Sequence, residues 1–203
     1  YSIKAALKSK IFQKVIVSTD NKEIAMISKK YGAETPFVRP SFLSDDYTPI
    51  NKVIKHAIIE LKKNNVSFDY VCGIFATAPL IQIKHLKKSF ILLRNTRSPY
   101  VIPISEFSFP IQRALYLNDK DQISIIIKKN YLKRSQDFEK TYHEAGQFIW
   151  GKANAFIKNI PTYMSNSIGY KMPPYLIHDI DNEDDWIQCE IKYKILKKLN
   201  LIK

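Results

Sequence analysis

Residues 68–77, FDYVCGIFAT, decide the fold class because they form an almost unbroken apolar run. Strands of this kind are usually buried on both faces, as in parallel sheets that are covered by helices. The neighbouring segments agree with that arrangement, since residues 48–64 and 84–93 repeat apolar side chains at helical spacing. Residues 100–104 then form a second apolar strand. The region therefore indicates helices that alternate with buried strands.

The same alternation continues towards the N-terminus. Residues 2–10 are predicted to form a helix, and residues 14–17 and 35–39 to form short strands. The helix between these two strands has Asn21 as its N-cap and Gly32 just after its end. Strands and helices in alternation predict an α/β chain with a mostly parallel, doubly wound sheet flanked by helices.

Polar or turn-rich segments follow three of the predicted strands, at residues 18–20, 39–48 and 76–79. Ligands of such sheets bind at the carboxyl ends of the strands. These three segments are therefore the first candidates for a ligand site.

The alternation stops after Ser105. Residues 107–117 and 121–128 are predicted to be extended, within an excursion from the sheet that spans residues 105–142. We find no internal repeat and no linker composition. The prediction is therefore a single domain over residues 1–203 that contains this excursion.

The chain ends in a predicted helix at residues 182–199, which follows a further strand at residues 147–150. Acidic residues occupy the first turn of this helix and lysines its last turn, and both placements suit the helix dipole. The C-terminal part is therefore expected to return to the sheet and close the domain.

The composition is that of an ordinary globular chain, with 45% hydrophobic and 25% charged residues among 203. Lysine and arginine total 32 against 19 acidic residues, so the net charge is +13. Nearly all of this positive charge is lysine, scattered along the chain, and we attribute it to AT-rich codon usage. A nucleic-acid surface would require clustering, so nucleic acid is not an expected partner.

Membrane insertion and disulfide bonding are also not expected. The longest uncharged run, residues 70–83, contains Pro79 and is shorter than the roughly 18–20 residues that a membrane span needs. Cys72 and Cys189 are too far apart in sequence for a metal-ligand motif or a disulfide framework. Two reduced cysteines are typical of a cytoplasmic protein.

The segment Asp179-Ile180-Asp181 is the most informative polar feature. Carboxylates at positions i and i+2 after an extended run point to the same side, and Mg²⁺ with its preference for oxygen ligands would relieve their repulsion. In the alternative, Asp181 caps the following helix and Asp179 is solvated. Considered alone, the segment favours that alternative.

A second polar region comprises residues 133–137, KRSQD, and residues 142–148, YHEAGQF. Its Arg, Gln, His and Glu residues suit an anionic ligand with many hydroxyl groups, because Arg binds carboxylate or phosphate through two hydrogen bonds. A surface loop that leads into a strand explains the same composition. The residues themselves leave both interpretations open.

Four segments together resemble a known family: VIVSTDNKEIAMISKKYGAETPFVRP, IFATAPL, KRSQDFEKTYHEAGQFIWGKA and HDIDNEDDW, in this order. They are similar to the acylneuraminate cytidylyltransferases, which activate nonulosonic acids. The stretches RSQD and YHEAGQFIWG favour the pseudaminic acid branch over the sialic acid branch. The resemblance runs from Tyr1 to about Tyr193 and implies a Rossmann-like nucleotide-diphospho-sugar transferase fold.

The resemblance also implies an activity, that of a nucleotidyltransferase. CTP and an α-keto sugar acid would give the CMP-sugar and pyrophosphate, with Mg²⁺ as cofactor and the anomeric hydroxyl attacking the α-phosphate. Catalysis of this kind is mostly positioning and charge neutralisation. Asp179 and Asp181 match the metal-binding pair of the family, which reverses the preference stated above, and Arg134 joins them as a predicted catalytic residue.

The other site residues are assigned by the same resemblance. The nucleotide-binding residues are expected to be Ser18, Thr19, Asp20, Arg39, Asp46 and Thr48. The sugar-binding residues are expected to be Phe75, Thr77, Gln136, His143, Glu144 and Gln147.

The choice of sugar acid depends on Phe75. Sialic acid enzymes that resemble this chain have Gln at that position, so the apolar side chain favours pseudaminic acid as the substrate. Legionaminic and N-acetylneuraminic acid are the alternatives within the family. The resemblance further implies a homodimer formed through the excursion, and a product that enters the glycosylation of flagellin or of surface polysaccharide.

One feature of the family is not found in the 203 residues. The family begins with a strand and a Gly-rich basic loop of the form Arg-x-Gly-Ser-Lys, which cradles the triphosphate of CTP. We expect this loop to precede Tyr1, and we expect the 203 residues alone not to convert CTP. The alternative outside the enzyme class is a non-catalytic relic that binds sugar nucleotides.

Overall fold

The computed structural model describes residues 1–164 and 166–202. The helices in this part of the chain are α1 (Ser2–Ser9), α2 (Lys22–Lys30), α3 (Ile50–Lys63), α4 (Ile83–Arg94), α5 (Ala153–Ile157) and α6 (Glu183–Lys198). The strands are β1 (Tyr70–Ile74), β2 (Tyr100–Glu106), β3 (Leu115–Leu117), β4 (Ile123–Ile125), β5 (Tyr142–Glu144), β6 (Phe148–Lys152) and β7 (Ile168–Lys171).

The main sheet has the strand order β1-β6-β2-β5, and β7 pairs with β2. Strands β1, β2 and β7 point the same way, because β1 and β2 are both antiparallel to β6 and β7 is parallel to β2. Helix α4 connects β1 to β2, so the α/β class is confirmed. More neighbouring strands are antiparallel than the alternating sequence pattern predicts, because β6 lies between β1 and β2.

Strands β5 and β6 pair with β2 one after the other, with residues 145–147 between them. Ala145 still donates its N–H to the carbonyl of Pro103 at 2.9 Å, whereas the carbonyl of Gln147 accepts the N–H of Phe75 at 2.9 Å. The chain therefore passes from the edge of β2 to the end of β1 within three residues. This short connection brings the ends of the two strands together.

The two strands predicted at residues 14–17 and 35–39 are not regular strands. The first forms a single parallel bridge, from Ile16 to Glu34, the residue just before the second, and the N–H of Val17 donates to the carbonyl of Glu34 at 2.9 Å. In the described residues, neither segment pairs with a strand of the main sheet. Apolar patterning reports burial, but a regular strand also needs a continuous hydrogen-bonded partner.

Core clusters cover both faces of the sheet, but β1, the strand predicted to be buried at residues 68–77, is only half-buried along its length because it lies at the edge of the described sheet. Along β6, Phe148 and Trp150 belong to one core cluster and Ile149 to another, because successive side chains of a strand alternate between faces. The first cluster includes residues of α1 and α4, and the second includes residues of α3 and α5. A third cluster, around Leu176 and Cys189, packs α6 against the end of the domain.

The excursion contains the hairpin of β3 and β4, whose apolar side chains are largely exposed. Leu115, Leu117 and Ile123 are between 56% and 70% exposed. A cavity of about 500 Å³ lies against this hairpin and is lined mostly by apolar residues, among them Phe109 and Tyr131. Within the described part of the chain, no helix has both the length and the apolar character needed to cross a membrane.

Candidate active site

Ser18, Thr19 and Asp20 lie beside Arg39. The N–H of Arg39 donates to the carbonyl of Thr19 at 3.0 Å, and its guanidinium Nη2 lies 3.7 Å from Oδ1 of Asp20. Its Nε donates to Oγ of Ser44 at 3.0 Å, which orients the guanidinium. The structure thus brings these predicted nucleotide residues to one place, and their contact with a nucleotide stays a prediction.

The loop after Arg39 is organised by Asp45, which the sequence analysis does not single out. Its carboxylate accepts the N–H groups of Tyr47 and Thr48 at 3.0 and 2.6 Å. A hydrogen bond from the side chain of Thr48, together with these backbone bonds, lowers the pKa of Asp45. Thr48 is therefore engaged in the turn, whereas Asp46 is exposed. The signal available in the sequence is the tendency of Asp to bond the backbone two residues ahead.

Phe75 directly follows β1, at the predicted carboxyl end of that strand. Its carbonyl accepts a hydrogen bond from Oγ of Ser2 at 2.7 Å. Its half-buried ring packs against the first core cluster, and Thr77 is exposed in the turn that follows. Phe75 thus belongs in part to the core, and its predicted contact with the sugar stays a prediction.

Asp179 and Asp181 are both exposed, whereas Ile180 between them packs against the third core cluster. The alternative role for Asp181, as the cap of the closing helix, is wrong. The N-cap of α6 is Asn182, whose Oδ1 accepts the N–H of Asp185 at 3.0 Å. Oδ2 of Asp185 accepts the N–H of Asp181 at 3.1 Å, so the backbone of Asp181 is held while its carboxylate is not used as a cap.

Gly146, between β5 and β6, lies against the carboxylate of Asp179. A Cβ atom at Gly146 would lie 3.0 Å from Oδ1 of Asp179, which is closer than nearly all such contacts. Gly146 also has a φ of 61°, a conformation that other residues adopt only at a cost. Glycine is therefore favoured by the backbone, and a larger residue would also require the carboxylate of Asp179 to shift.

We expect Gly146→Ala to lower the free energy of unfolding by about 1–2 kcal/mol, because of its positive φ. The added methyl group should also displace Asp179 and raise the Mg²⁺ concentration needed for turnover of the full-length protein. The measurements are thermal unfolding and the dependence of the rate on Mg²⁺. Gly32→Ala is the matched control, since Gly32 also has a positive φ and its Cβ would meet only Leu7 at 3.0 Å. An equal Mg²⁺ requirement in both variants would contradict a role for this contact.

Gln147 is enclosed by protein, with 1% of its surface exposed. Its Nε2 donates to the carbonyl of Leu176 at 2.5 Å, and its Oε1 is buried without a hydrogen-bond partner among the described residues. The described contact is therefore with the backbone before Asp179. The predicted contact of Gln147 with the sugar stays a prediction.

His143 and Glu144 lie on β5 and border a cavity of about 220 Å³. The ring of His143 packs 4.9 Å from the ring of Phe107, and its Nδ1 lies 2.8 Å from the carbonyl oxygen of Glu144. The hydroxyl of Tyr163 donates to the carboxylate of Glu144. The cavity has an apolar wall, which includes Ile104 and Ile168, and polar groups at its rim.

Arg134 and Gln136 lie in the excursion, at the 3₁₀ turn Ser135–Asp137. Nε and Nη2 of Arg134 each lie 2.9 Å from an oxygen of Asp137, and Arg134 is exposed. In residues 1–164 and 166–202, no hydrogen bond or ion pair joins Arg134 to the aspartate pair. The predicted catalytic residues are therefore not in one contact network within this chain.

The aspartate pair suits a divalent cation. Both carboxylates are exposed oxygen donors, and neither takes part in an ion pair among the described residues. The described residues hold no cluster of three or more His, Cys, Asp or Glu side chains placed to bind a metal by themselves. Mg²⁺ is often bound by only one or two carboxylates together with substrate phosphates, so a pair of aspartates matches its chemistry.

Lys192 is a further residue near this site that the sequence analysis missed. From α6 its Nζ donates to the carbonyl of Ile177, two residues before Asp179, at 2.5 Å. Burial lowers the pKa of Lys192. The sequence carries no signal for this contact, because one lysine in a lysine-rich helix resembles its neighbours.

Comparison with known proteins identifies the family. A family model described as Cytidylyltransferase matches residues 1–200. A pseudaminic acid cytidylyltransferase from Campylobacter jejuni is 40% identical over 195 residues, which cover 96% of this chain and 84% of that relative. A Helicobacter pylori protein named pseudaminic acid cytidylyltransferase and UDP-2,4-diacetamido-2,4,6-trideoxy-beta-L-altropyranose hydrolase is 35% identical, over 89% of this chain and 34% of its own length.

A solved structure supports the fold. CMP:2-keto-3-deoxy-manno-octonic acid synthetase complexed with CTP superimposes with a TM-score of 0.64 at 11% identity, over 97% of this chain and 86% of that chain. The predicted nucleotidyltransferase fold is therefore confirmed. With the family match over residues 1–200 and the 40% identity to a relative of similar length, the chain belongs to the cytidylyltransferase family.

Proposed function

We propose that this protein transfers CMP from CTP to pseudaminic acid and releases pyrophosphate. The observation that carries the proposal is the pair of exposed aspartates, of which Asp179 lies beside Gly146 and Asp181 is held through its N–H by Asp185. The present chain, which carries this pair, is 40% identical to a pseudaminic acid cytidylyltransferase. A pair of carboxylates that holds Mg²⁺ together with substrate phosphates suits a reaction between polyanionic CTP and an anionic sugar acid.

In the proposed reaction, the anomeric hydroxyl oxygen of the sugar acid forms a bond to the α-phosphorus of CTP. The bond between the α-phosphorus and the bridging oxygen breaks, pyrophosphate leaves with the bonding electrons, and the hydroxyl proton is released. Asp179 and Asp181 would hold Mg²⁺, which when bound neutralises negative charge on phosphate oxygens. The other tasks of the chain are to bind the two substrates and to align them.

Arg39 and residues 18–20 are proposed to bind the nucleotide. The guanidinium of Arg39 is already oriented by Ser44 and lies 3.7 Å from Asp20, so little side-chain freedom would be lost on binding. Oγ of Ser18 is buried and has no hydrogen-bond partner among the described residues, so a ligand group would reach it after a local movement of this segment.

His143 and Glu144 are proposed to bind the sugar at the cavity of about 220 Å³. A nonulosonic acid presents hydroxyl groups and N-acyl groups. The cavity offers an apolar wall for methyl groups and a polar rim for hydroxyl and amide groups, which is the usual composition of a small-molecule site. Arg134, which pairs with Asp137 in this structure, is proposed to bind the carboxylate of the sugar acid in place of that partner.

The protein is further proposed to act as a homodimer. The exposed apolar hairpin of β3 and β4 and the cavity beside it form a surface that monomeric proteins rarely leave uncovered. A second copy of the chain is the proposed partner, bound through residues 105–142. Sedimentation of the full-length protein at micromolar concentration should give twice the chain mass, and a monomer would contradict the proposal.

The proposed location is the cytoplasm, and the proposed fate of the CMP-sugar is the glycosylation of flagellin or surface polysaccharide. Both cysteines, Cys72 and Cys189, are free thiols, which is the usual state in a reducing compartment. The resemblance to enzymes that activate pseudaminic acid supports the proposed fate.

The test of the proposed function uses the full-length protein with CTP, Mg²⁺ and pseudaminic acid. We expect stoichiometric release of pyrophosphate together with a product of the mass of the CMP-sugar. Reactions without the sugar acid, or with ATP in place of CTP, are the controls. Pyrophosphate release that does not depend on the sugar acid would contradict the proposal.

A further inference from the structure

The backbone that leads to the aspartate pair is bound by side chains from two other parts of the chain. This segment, residues 174–178, follows β7 and is here called the strap. Nε2 of Gln147 donates to the carbonyl of Leu176 at 2.5 Å, and Nζ of Lys192 lies 2.5 Å from the carbonyl of Ile177. Leu176 itself is fully buried in the third core cluster. The strap is therefore anchored two and three residues before Asp179.

The ammonium group of Lys192 is directed to two backbone carbonyls, whereas Lys152, also among the described residues, reaches one backbone carbonyl, that of Thr96 at 3.4 Å. Nζ of Lys192 lies 3.5 Å from the carbonyl of Pro174, so one cation bridges both ends of the turn in the strap. Among the described residues, Lys192 forms no salt bridge with a carboxylate, whereas Lys194 on the same helix pairs with Glu190 at 3.2 Å. The side chain of Lys192 is half-buried, and that of Lys194 is 69% exposed.

The other side of the aspartate pair is held by the same helix. Oδ2 of Asp185, in the first turn of α6, accepts the N–H of Asp181 at 3.1 Å. Nε2 of His178 lies 2.8 Å from the carbonyl oxygen of Asp185, which ties the last residue of the strap to that turn. The short segment that carries both aspartates is therefore bound to α6 before Asp179 and at Asp181.

We propose that Lys192 is a positioning residue for the metal-binding aspartates, acting through the carbonyls of the strap. The inference rests on the proposed function, in which Asp179 and Asp181 bind the cation. The ammonium group would fix the strap against α6, so that the two carboxylates keep their separation when the metal arrives. Groups that orient metal ligands typically change metal affinity or activity by about 10- to 100-fold when they are removed.

The direction in which metal affinity changes when Lys192 is replaced distinguishes a positioning role from a purely electrostatic one. Loss of a positive charge near an acidic pair strengthens the attraction of the pair for a cation, so a field effect alone would tighten metal binding. A positioning role predicts the opposite, because the freed strap lets the carboxylates separate. A role in overall stability alone would lower the unfolding temperature and leave the metal affinity of the folded protein unchanged.

The experiment compares Lys192→Met with Lys194→Met in the full-length protein, with Mn²⁺ and CTP but no sugar acid as the probe and Mn²⁺ with CTP alone as the blank, because the aspartate pair is proposed to share the cation with substrate phosphates. Free Mn²⁺ is counted by electron paramagnetic resonance, and thermal unfolding is recorded in parallel. We expect Lys192→Met to raise the Mn²⁺ dissociation constant about 10-fold. Lys194→Met, which removes the same charge two residues away, should leave that constant unchanged or lower it. Wild-type or tighter Mn²⁺ binding in Lys192→Met would overturn the inference.

A second variant guards against a failure of Lys192→Met to fold. Lys192→Gln removes the charge and moves the remaining amide donor back by one bond, so a loss of affinity in the same direction but smaller than that of Lys192→Met is expected. Asp181→Asn separates the inference from the proposed function. If wild type and Asp181→Asn bind Mn²⁺ equally, the metal assignment itself fails. If only Asp181→Asn loses binding while folded Lys192 variants retain it, the metal assignment stands and the positioning role is refuted.

Discussion

Asp179→Asn and Asp181→Asn are each expected to lower kcat/KM of the full-length protein by at least about 100-fold, the upper end of what loss of an outer-shell partner causes. Each substitution removes one anionic oxygen donor from a pair that is exposed and unpaired among the described residues. An amide is a weaker ligand for a hard cation and carries no charge. The fold should be retained, since Asp181 is held through its N–H and not through its carboxylate.

The measurement is the steady-state rate of pyrophosphate release over a range of Mg²⁺ concentrations, with circular dichroism to verify folding. Asp184→Asn is the control, because Asp184 is an exposed acid in the first turn of α6 and its loss changes the net charge equally. We expect Asp184→Asn to keep most of the activity. Near-normal turnover with an unchanged Mg²⁺ requirement in Asp181→Asn would remove the metal assignment.

The second large effect concerns the choice of sugar acid. The full-length protein should prefer pseudaminic over N-acetylneuraminic acid by about 100-fold or more in kcat/KM, the discrimination that a polar mismatch produces. Pseudaminic acid ends in a methyl group where N-acetylneuraminic acid has a hydroxyl group. Phe75 is apolar, and the resemblance to the family implies an amide at this position in sialic acid enzymes. Phe75→Gln is therefore expected to narrow the preference.

Because the ring of Phe75 is half-buried, a second substitution is needed to separate the effect of lost packing from the effect of the amide. Because the ring packs against the first core cluster, Phe75→Gln should also lower stability. Phe75→Leu is the control, since it shortens the side chain and stays apolar. Only the Gln variant should change the ratio of the two kcat/KM values. Equal values in the wild type would overturn the choice of pseudaminic acid, and an unchanged ratio in Phe75→Gln would exclude Phe75 as its cause.

The elements of the fold are largely predictable from local patterns. Asn21 accepts the N–H groups of Glu23 and Ile24 at 2.8 and 3.0 Å, as the cap at the start of α2 predicts. Gly32 has a φ of 93° just after that helix, as its position predicts. These features depend on neighbouring residues, so the physics that produces them is contained in a few consecutive positions.

Local sequence patterns do not correctly predict the segments at residues 14–17 and 35–39. Their apolar residues predict strands, but a strand also needs a partner along its length, and the one described bridge joins Ile16 to Glu34. The periodicity of apolar residues also does not predict that β6 lies between β1 and β2 and runs antiparallel to both. Pairing is decided by residues that are far apart in the chain, and the apolar pattern of one segment does not name its partner.

For the candidate site, the sequence alone determined the residue types and the family to which the chain belongs. It also determined the alternation by which Asp179 and Asp181 are exposed while Ile180 between them is partly buried. The tertiary structure alone decided which backbone supports them. Gly146, which lies between β5 and β6, packs against the carboxylate of Asp179, and Lys192 of α6 donates to a carbonyl of the strap. Such contacts join residues that are 15 or more positions apart, and an ammonium group that binds a carbonyl oxygen leaves no pattern in the sequence. Local chemistry is therefore readable from the chain, whereas the support of the site exists only after the core has packed.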